Sequence, residues 1–536
     1  MTRLLLSLFG ALLPASIAWG QEEAVVEQLA PVLAAEDARQ WQPELFQRAL
    51  VAPDSVVRRV AALAAGRIGD LRATPLLLRL LEQPDTTVSV AAAFALGLLR
   101  DSAAVQPLIA RLTGLPPLDT ATADEVVTAL AKIGGRRSAE FFASVLRGAV
   151  ALSQTDPAPA TSQMLLESWR LGPDARADAL VPFADDTVQS IRWRTIYSLG
   201  RLRSTVAANQ LLAALRAPDA ATRATAARAL SREYAVAAKL APATISGLLV
   251  RSLDDNDPGV RIGALRALAT YHDSAIASTV APRVDDPDGN VRVQAASALG
   301  ELRGSAATAA LRRVLKGKGS FALRREASLS LARTDPGAFE TASELMRAAA
   351  DWRARAMAAE GWALAGAKGP AWFLSDVDGR VIAAGLQAWA TAVQGPDAAL
   401  LTASRRLLAH ADAATRSVAA DAVARAADPT DLPALVALYL RSSRDSFPDA
   451  SLSALGGIAA IAGRNLQTRE RVDREFLSTV PRPSNYLVRR WAESNWPAAF
   501  ERWGPAYPIA TGRSLQDYRD VIRRFVVAPD SVARPH

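Results

Sequence analysis

The chain holds three histidines, His272, His410 and His536, and no cysteine. Without thiols there can be no disulfide, no thiolate metal site and no lipid-bearing N-terminal cysteine. None of the histidines sits in a His-Glu dipeptide or an i,i+4 histidine pair, so the spacings that hold iron or zinc on one helix face are absent. His272 and His410 fall in turns or at helix ends. Two phosphate-loop look-alikes fail on context. Gly361 to Gly366 with Lys368 lacks the Gly-Lys-Ser/Thr junction and follows a helical stretch, and Gly317-Lys318-Gly319-Ser320 reads as an inter-helix turn. The acidic turns Asp254-Asp255-Asn256-Asp257 and Asp285-Asp286-Pro287-Asp288-Gly289-Asn290 gather oxygen ligands of the kind calcium takes, but glycine comes too early and no glutamate closes the loop. Turn formation and helix capping account for them. The residues assign no catalytic, cofactor-binding or metal-binding position and lean away from an enzyme.

The chemistry that remains is charge used for binding. Arginines recur near the ends of one class of helix, at Arg79, Arg111, Arg147, Arg216, Arg251, Arg283, Arg313 and Arg347. Stacked helices would align them along one edge. One reading is that cations there complement the negative end of each helix dipole, worth a few tenths of a kcal/mol apiece. The other is a basic rail for an acidic partner, whether a polypeptide, a polysaccharide or a lipid headgroup.

The elements that position these arginines repeat. Asp54-Ser-Val-Val-Arg58, Asp257-Pro-Gly-Val-Arg261 and Asp288-Gly-Asn-Val-Arg292 share one form, and Asp219 with Arg223 and Asp412 with Arg416 follow it. Asp85 opens a copy with Ser89 at the arginine position, and Ser320 to Arg324 and Asn485 to Arg489 replace the aspartate with another capping residue. Each anchor leads an Ala-rich helix, often closing in Leu-Gly (Leu96-Gly97, Leu199-Gly200, Leu299-Gly300), then a short turn and a second helix with leucines at helical spacing. Asp54 to Asp85 is 31 residues, Asp257 to Asp288 is 31, and Arg292 to Arg324 is 32. One such period holds two helices of about eleven residues and two turns. The Asp, Ser or Asn caps orphan backbone N–H groups of the first helix. The glycine is expected to end it in a left-handed conformation, and the arginine four residues after the cap can reach carboxylates or carbonyls in the adjoining turn. A lone hairpin of this size leaves an apolar face open, so neighbours must stack to close the core.

The pattern resembles the HEAT-repeat family in its short bacterial form, with a D-x-x-V-R…A-L-G signature, over most of residues 40 to 500 and some thirteen or fourteen units. The resemblance implies an all-α fold, a right-handed α-solenoid of antiparallel HEAT/armadillo-type helical hairpins with second helices lining a concave face. Composition agrees: half the residues are hydrophobic yet only 6% are aromatic, and small side chains at this density suit helices packed closely side by side.

Net charge is +8, but only five cations are lysines, and the segment from Arg464 onward, with thirteen Arg against eight Asp plus Glu, supplies +5 of it. No block of Lys and Arg exceeds two residues, which makes a nucleic-acid-binding HEAT protein the least expected alternative, and a small-molecule ligand is not expected either. A protein or peptide partner is, acidic if the arginine row is a rail.

Three irregular stretches stand out. Residues 1–20 read as a secretory leader, with Arg3, an apolar run from Leu4 to Leu13, and Ala18-Trp19-Gly20 before Gln21. No later run is long and apolar enough to anchor in a membrane, so the expected site is the periplasm or the medium. Within the solenoid, 21–480, residues 151–162 read as a flexible insertion and Arg441 to Pro448 as a second loop. Residues 481–536, rich in aromatics and arginine, read as a C-terminal cap and linker-like tail lying on the last repeats. There, Tyr507 to Tyr518 followed by Val521 to Pro529 resembles a connecting segment of exported bacterial HEAT proteins, which leads into a cyclophilin-type peptidyl-prolyl isomerase domain. That domain's catalytic positions have no counterpart here, so the resemblance implies at most the non-catalytic arm of a folding enzyme. The leading expectation is an interaction scaffold of the cell envelope.

Overall fold

A computed structural model describes residues 19–317, 319–366, 371–506 and 511–526. The leader 1–20 lies outside them except for Trp19 and Gly20, as do Lys318, Lys368, residues 507–510 and His536. Every regular element among the described residues is helical, and the chain is an α-solenoid of helical hairpins. It packs as two compact units, residues 1–214 with 507–536, and residues 215–506.

In the first unit the leading helices of successive hairpins, Ser55–Ile68, Thr86–Leu99, Thr120–Ile133 and Ala158–Glu167, stack directly on one another, and Gln189–Arg201 follows. Their shorter partners, among them Thr74–Leu80, Val105–Thr113 and Gly135–Leu146, meet each other more sparingly. The second unit repeats the scheme with Ala220–Ala229, Pro258–Ala269, Gly289–Leu302, Phe321–Thr334 and onward to Asp449–Ala462. The first helices form the closer-packed row, because alanines and glycines on them let their backbones approach.

Gly97 and Gly300 show how far this goes. Neither takes a left-handed conformation; both lie inside helices that run on to Leu99 and Leu302, and the left-handed residues are Arg100 (φ 53°) and Arg303 (φ 62°). A Cβ on Gly300 would fall 2.5 Å from Ser330 Oγ, and one on Gly97 3.1 Å from Ala129 Cα. The Leu-Gly signature is therefore a helix-contact site and not a helix stop.

Capping follows the sequence reading. The Asp54 carboxylate accepts from Val56 N at 2.7 Å, Asp257 from Gly259 N at 2.8 Å, Asp288 from Asn290 N at 2.8 Å, and Asp219 and Asp412 from the third residue after each, at 2.8 Å. Ser320 and Asn485 cap in the same way.

Two segments differ from expectation. Residues 158–162 of the anticipated insertion already form a first helix, with Asp156 accepting from Ala158 N at 3.0 Å and Pro159 in the first turn, where its missing N–H costs nothing. The tail also divides. Tyr486–Asn495 and Pro497–Trp503 continue the second unit, burying Trp496 and Trp503 around Phe476. Leu515–Val526 lies instead on the N-terminal helix Trp19–Asp37, in the first unit.

Candidate interaction surface

The anchor arginines do one job repeatedly. Arg58, Arg223, Arg261, Arg292 and Arg416, and likewise Arg355 four residues after the Asp351 cap, fold back so that Nη1 donates to the carbonyls five and six residues earlier. Arg58 reaches Pro53 and Ala52 (both 2.7 Å), Arg261 reaches Asn256 and Asp255 (3.1 and 2.8 Å), Arg292 reaches Pro287 and Asp286 (3.1 and 2.7 Å), and Arg416 reaches Ala411 and His410 (2.6 and 2.9 Å). For Arg223, Arg261, Arg355 and Arg416, in the second unit, the rest of the guanidinium also reaches an aspartate of the next turn. Arg223 Nε meets Asp255 Oδ2 at 2.7 Å, Arg355 Nε meets Asp376 Oδ2 at 2.8 Å, Arg261 Nη2 meets Asp286 Oδ1 at 2.8 Å, and Arg416 meets Asp445. Hydrogen bonds from Arg223 hold Asp255 below the usual carboxylate range, and Arg355 does the same for Asp376. Burial pushes Asp286 up, but Arg261 and the Asp288 N–H outweigh it and its pKa also falls.

This ladder occupies the acidic turns that resembled calcium loops. Asp255 and Asp286 serve Arg223 and Arg261, Asp254 pairs with Arg283, Asp285 pairs with Arg313 at 2.7 Å, and Asp257 and Asp288 are caps. Among the described residues no three His, Asp or Glu side chains converge as metal ligands would. His272 Nδ1 lies 3.3 Å from the Glu301 carbonyl, and His410 Nδ1 accepts from Asp412 N at 3.1 Å, so both sit in turns as expected.

The second arginine series is not a uniform rail. Arg147 pairs with Asp178, Arg283 with Asp254, Arg313 with Asp285 and Arg347 with Glu340, while Arg111 donates to the Pro116 carbonyl at 2.7 Å. Arg79, Arg216 and Arg251 are exposed with no such partner among the described residues.

A more concentrated group lies on the first helices of the first unit. Lys132 sits 4.7 Å over the Phe94 ring and pairs with Glu125 at 3.3 Å. Burial raises the Glu125 pKa, against the pull of Lys132, with Glu167 adding repulsion. Asp124 beside it is raised by burial, opposed by Arg194, and its buried Oδ1 has no hydrogen-bond partner. Arg194 reaches Ser162 at 3.0 Å, and Gln163 donates to Thr128 Oγ1 at 3.0 Å, which ties three first helices together. Next come half-buried rings: Tyr197 meets Trp169 and Trp193 edge-on at centroid distances of 6.5 and 6.1 Å. Arg201 lies 3.9 Å over Trp169, and Arg170, paired with Glu167, lies 4.6 Å from the same ring. Glu167 is only 7% exposed, facing a neighbour where the helices before it carry Ala64, Ala95 and Ala129. Sequence reading missed this group. Its signal was that one charged residue in an alanine row.

Residues 42–123, 177–269 and 245–332 match the family model of HEAT repeats. These stretches are HEAT repeats. Helical hairpins continue through Trp503. No curated protein matches the chain. Among solved structures, the chain is similar to an engineered protein (19% identity, 79% of this chain and 98% of that one, TM-score 0.30). It is also similar to the karyopherin Kap95p in a RanGDP study (12%, 95% and 84%, TM-score 0.46), and to the CpcE and CpcF complex of phycocyanin lyase from Nostoc sp. PCC7120 (21%, 51% and 93%, TM-score 0.26). No described helix is long and apolar enough to cross a membrane.

Proposed function

We propose that this chain is a non-catalytic protein-interaction scaffold and that the first-helix surface around Phe94, Glu125, Trp193 and Tyr197 holds a polypeptide partner. The observation that carries the reading is the contrast between two arginine sets. Arg58, Arg223, Arg261, Arg292 and Arg416 are consumed by carbonyls or aspartates of their own framework, whereas Arg201 rests on half-exposed rings with no carboxylate opposite it among the described residues. Rings with polar edges and adjoining guanidinium groups supply contact area at small entropic cost, the composition that dominates binding hot spots. Raised carboxylates beside them add groups that gain from a cation or a hydrogen-bond donor brought by a partner. An acidic partner along the second-helix ends would rest on Arg79, Arg216 and Arg251, the members still free of a carboxylate or carbonyl.

The leader-like start supports export to the cell envelope, and N-terminal sequencing of the mature protein beginning at Gln21 would bear that out. For the surface, Trp193→Ala with Tyr197→Ala should abolish recovery of the partner found with the native chain, with thermal unfolding shifted by only a few degrees. Partner recovery unchanged in the double variant overturns the assignment.

A further inference from the structure

The N-terminal helix Trp19–Asp37 carries Glu22, Glu23, Glu27, Glu36 and Asp37 and no cation. Against it lies Leu515–Val526, whose arginines, with Arg513 just before it, bring the opposite charge to that face. Arg519 Nη2 donates to Glu27 Oε2 at 2.7 Å, Arg523 pairs with Glu23, and Asp37 Oδ2 accepts from the Tyr518 hydroxyl at 2.8 Å and from Arg513 Nη1 at 3.3 Å. Between these rungs Tyr518 and Ile522, one turn apart, are 5% and 0% exposed and join the same apolar cluster as Val25, Val26, Leu29 and Leu33. The contact is a helix laid on a complementary face, read by two apolar anchors and a row of cations.

Its energetics favour reversibility. Among the described side chains of this helix two are buried anchors, and the ion pairs are partly exposed, so salt screens them. An element held by so few buried groups belongs to the low-stability end of a fold.

We propose that the acidic N-terminal helix is a docking surface for a basic amphipathic helix of another polypeptide, and that residues 515–526 occupy it as a built-in competitor. The occupant's chemistry defines the partner: arginines spaced to meet Glu23, Glu27 and Asp37, with an aromatic and a branched aliphatic residue four apart on the face between them. This site is separate from the ring cluster on the first helices, and its partner is basic. Failure of one assignment therefore leaves the other standing.

The test uses the full chain and a labelled peptide with the sequence of residues 511–526, followed by fluorescence anisotropy at low salt. Ile522→Asp removes an anchor from the competitor and leaves the acidic helix untouched. It should bind the peptide at least tenfold more tightly than the native chain, because the closed form no longer taxes the apparent affinity. Adding Glu23→Arg and Glu27→Arg, or raising salt to about 0.5 M, where the Debye length falls toward 4 Å, should remove that binding. Arg519→Glu with Arg523→Glu releases the competitor by charge alone and serves should Ile522→Asp fail to fold by circular dichroism. Equal peptide binding by native and released chains, or binding indifferent to charge reversal at Glu23 and Glu27, overturns the proposal.

Discussion

Arg261 and Asp286, 25 residues apart, meet through Nη2 and Oδ1 at 2.8 Å with side chains only 9% and 2% exposed, while the same guanidinium holds the carbonyls of Asp255 and Asn256. One side chain thus closes its own turn and fastens it to the next repeat. Arg261→Ala leaves a buried carboxylate and two carbonyls without their donor, and should cost about 3 kcal/mol. Urea denaturation should show a lowered midpoint, and Arg261→Lys should recover little, because an ammonium cannot span three acceptors in a plane.

The ladder also sets the acid limit. Asp255 and Asp376 have folded pKa values below their unfolded ones because of Arg223 and Arg355, and hydrogen bonds from Arg380 bring Asp378 to about 2. Carboxylates depressed in this way stabilise the fold fully above their unfolded value of about 3.9. That contribution disappears as pH falls through the folded value. Thermal unfolding should therefore be flat from pH 7 to about 5 and fall steeply below about 4, and Asp376→Asn should make the fall shallower. An unchanged acid profile in that variant would contradict the assignment.

Gly300 tests the close approach of first helices. A methyl group there would meet Ser330 Oγ at 2.5 Å, so Gly300→Ala should destabilise by about 1–3 kcal/mol through overpacking. Pairing it with Ser330→Gly should return most of the loss in a double-mutant cycle. A Gly300→Ala protein as stable as the parent would show that the helices are not pressed together at this point.

The legible part of the molecule is the part that repeats. Asp54 and Arg58 act within six residues of themselves, so spacing alone showed a cap and an arginine that turns back. The link from Arg223 to Asp255 spans 32 residues, one repeat period, and was within reach of the same reading. The acidic turns drew attention as oxygen clusters, and the structure spends those oxygens on caps and on the arginines. Leu-Gly commonly closes helices, so sequence alone places Gly97 and Gly300 at helix ends, but the deciding fact is the neighbouring helix about thirty residues on. The ring cluster around Trp169 depends on helix register where the repeat is least regular, since Ala158–Glu167 starts without an aspartate cap. The docking of Tyr518 beside Asp37 joins positions 481 residues apart and leaves no trace in a periodic pattern.

The most direct measurement is site-specific photo-cross-linking in the native cell, with a photoreactive residue at Tyr197 on the first-helix surface or at Leu345, which is 85% exposed on a second helix. The account predicts a discrete cross-linked polypeptide from position 197 and none from position 345. The same polypeptide captured at both positions, or at 345 alone, would contradict it.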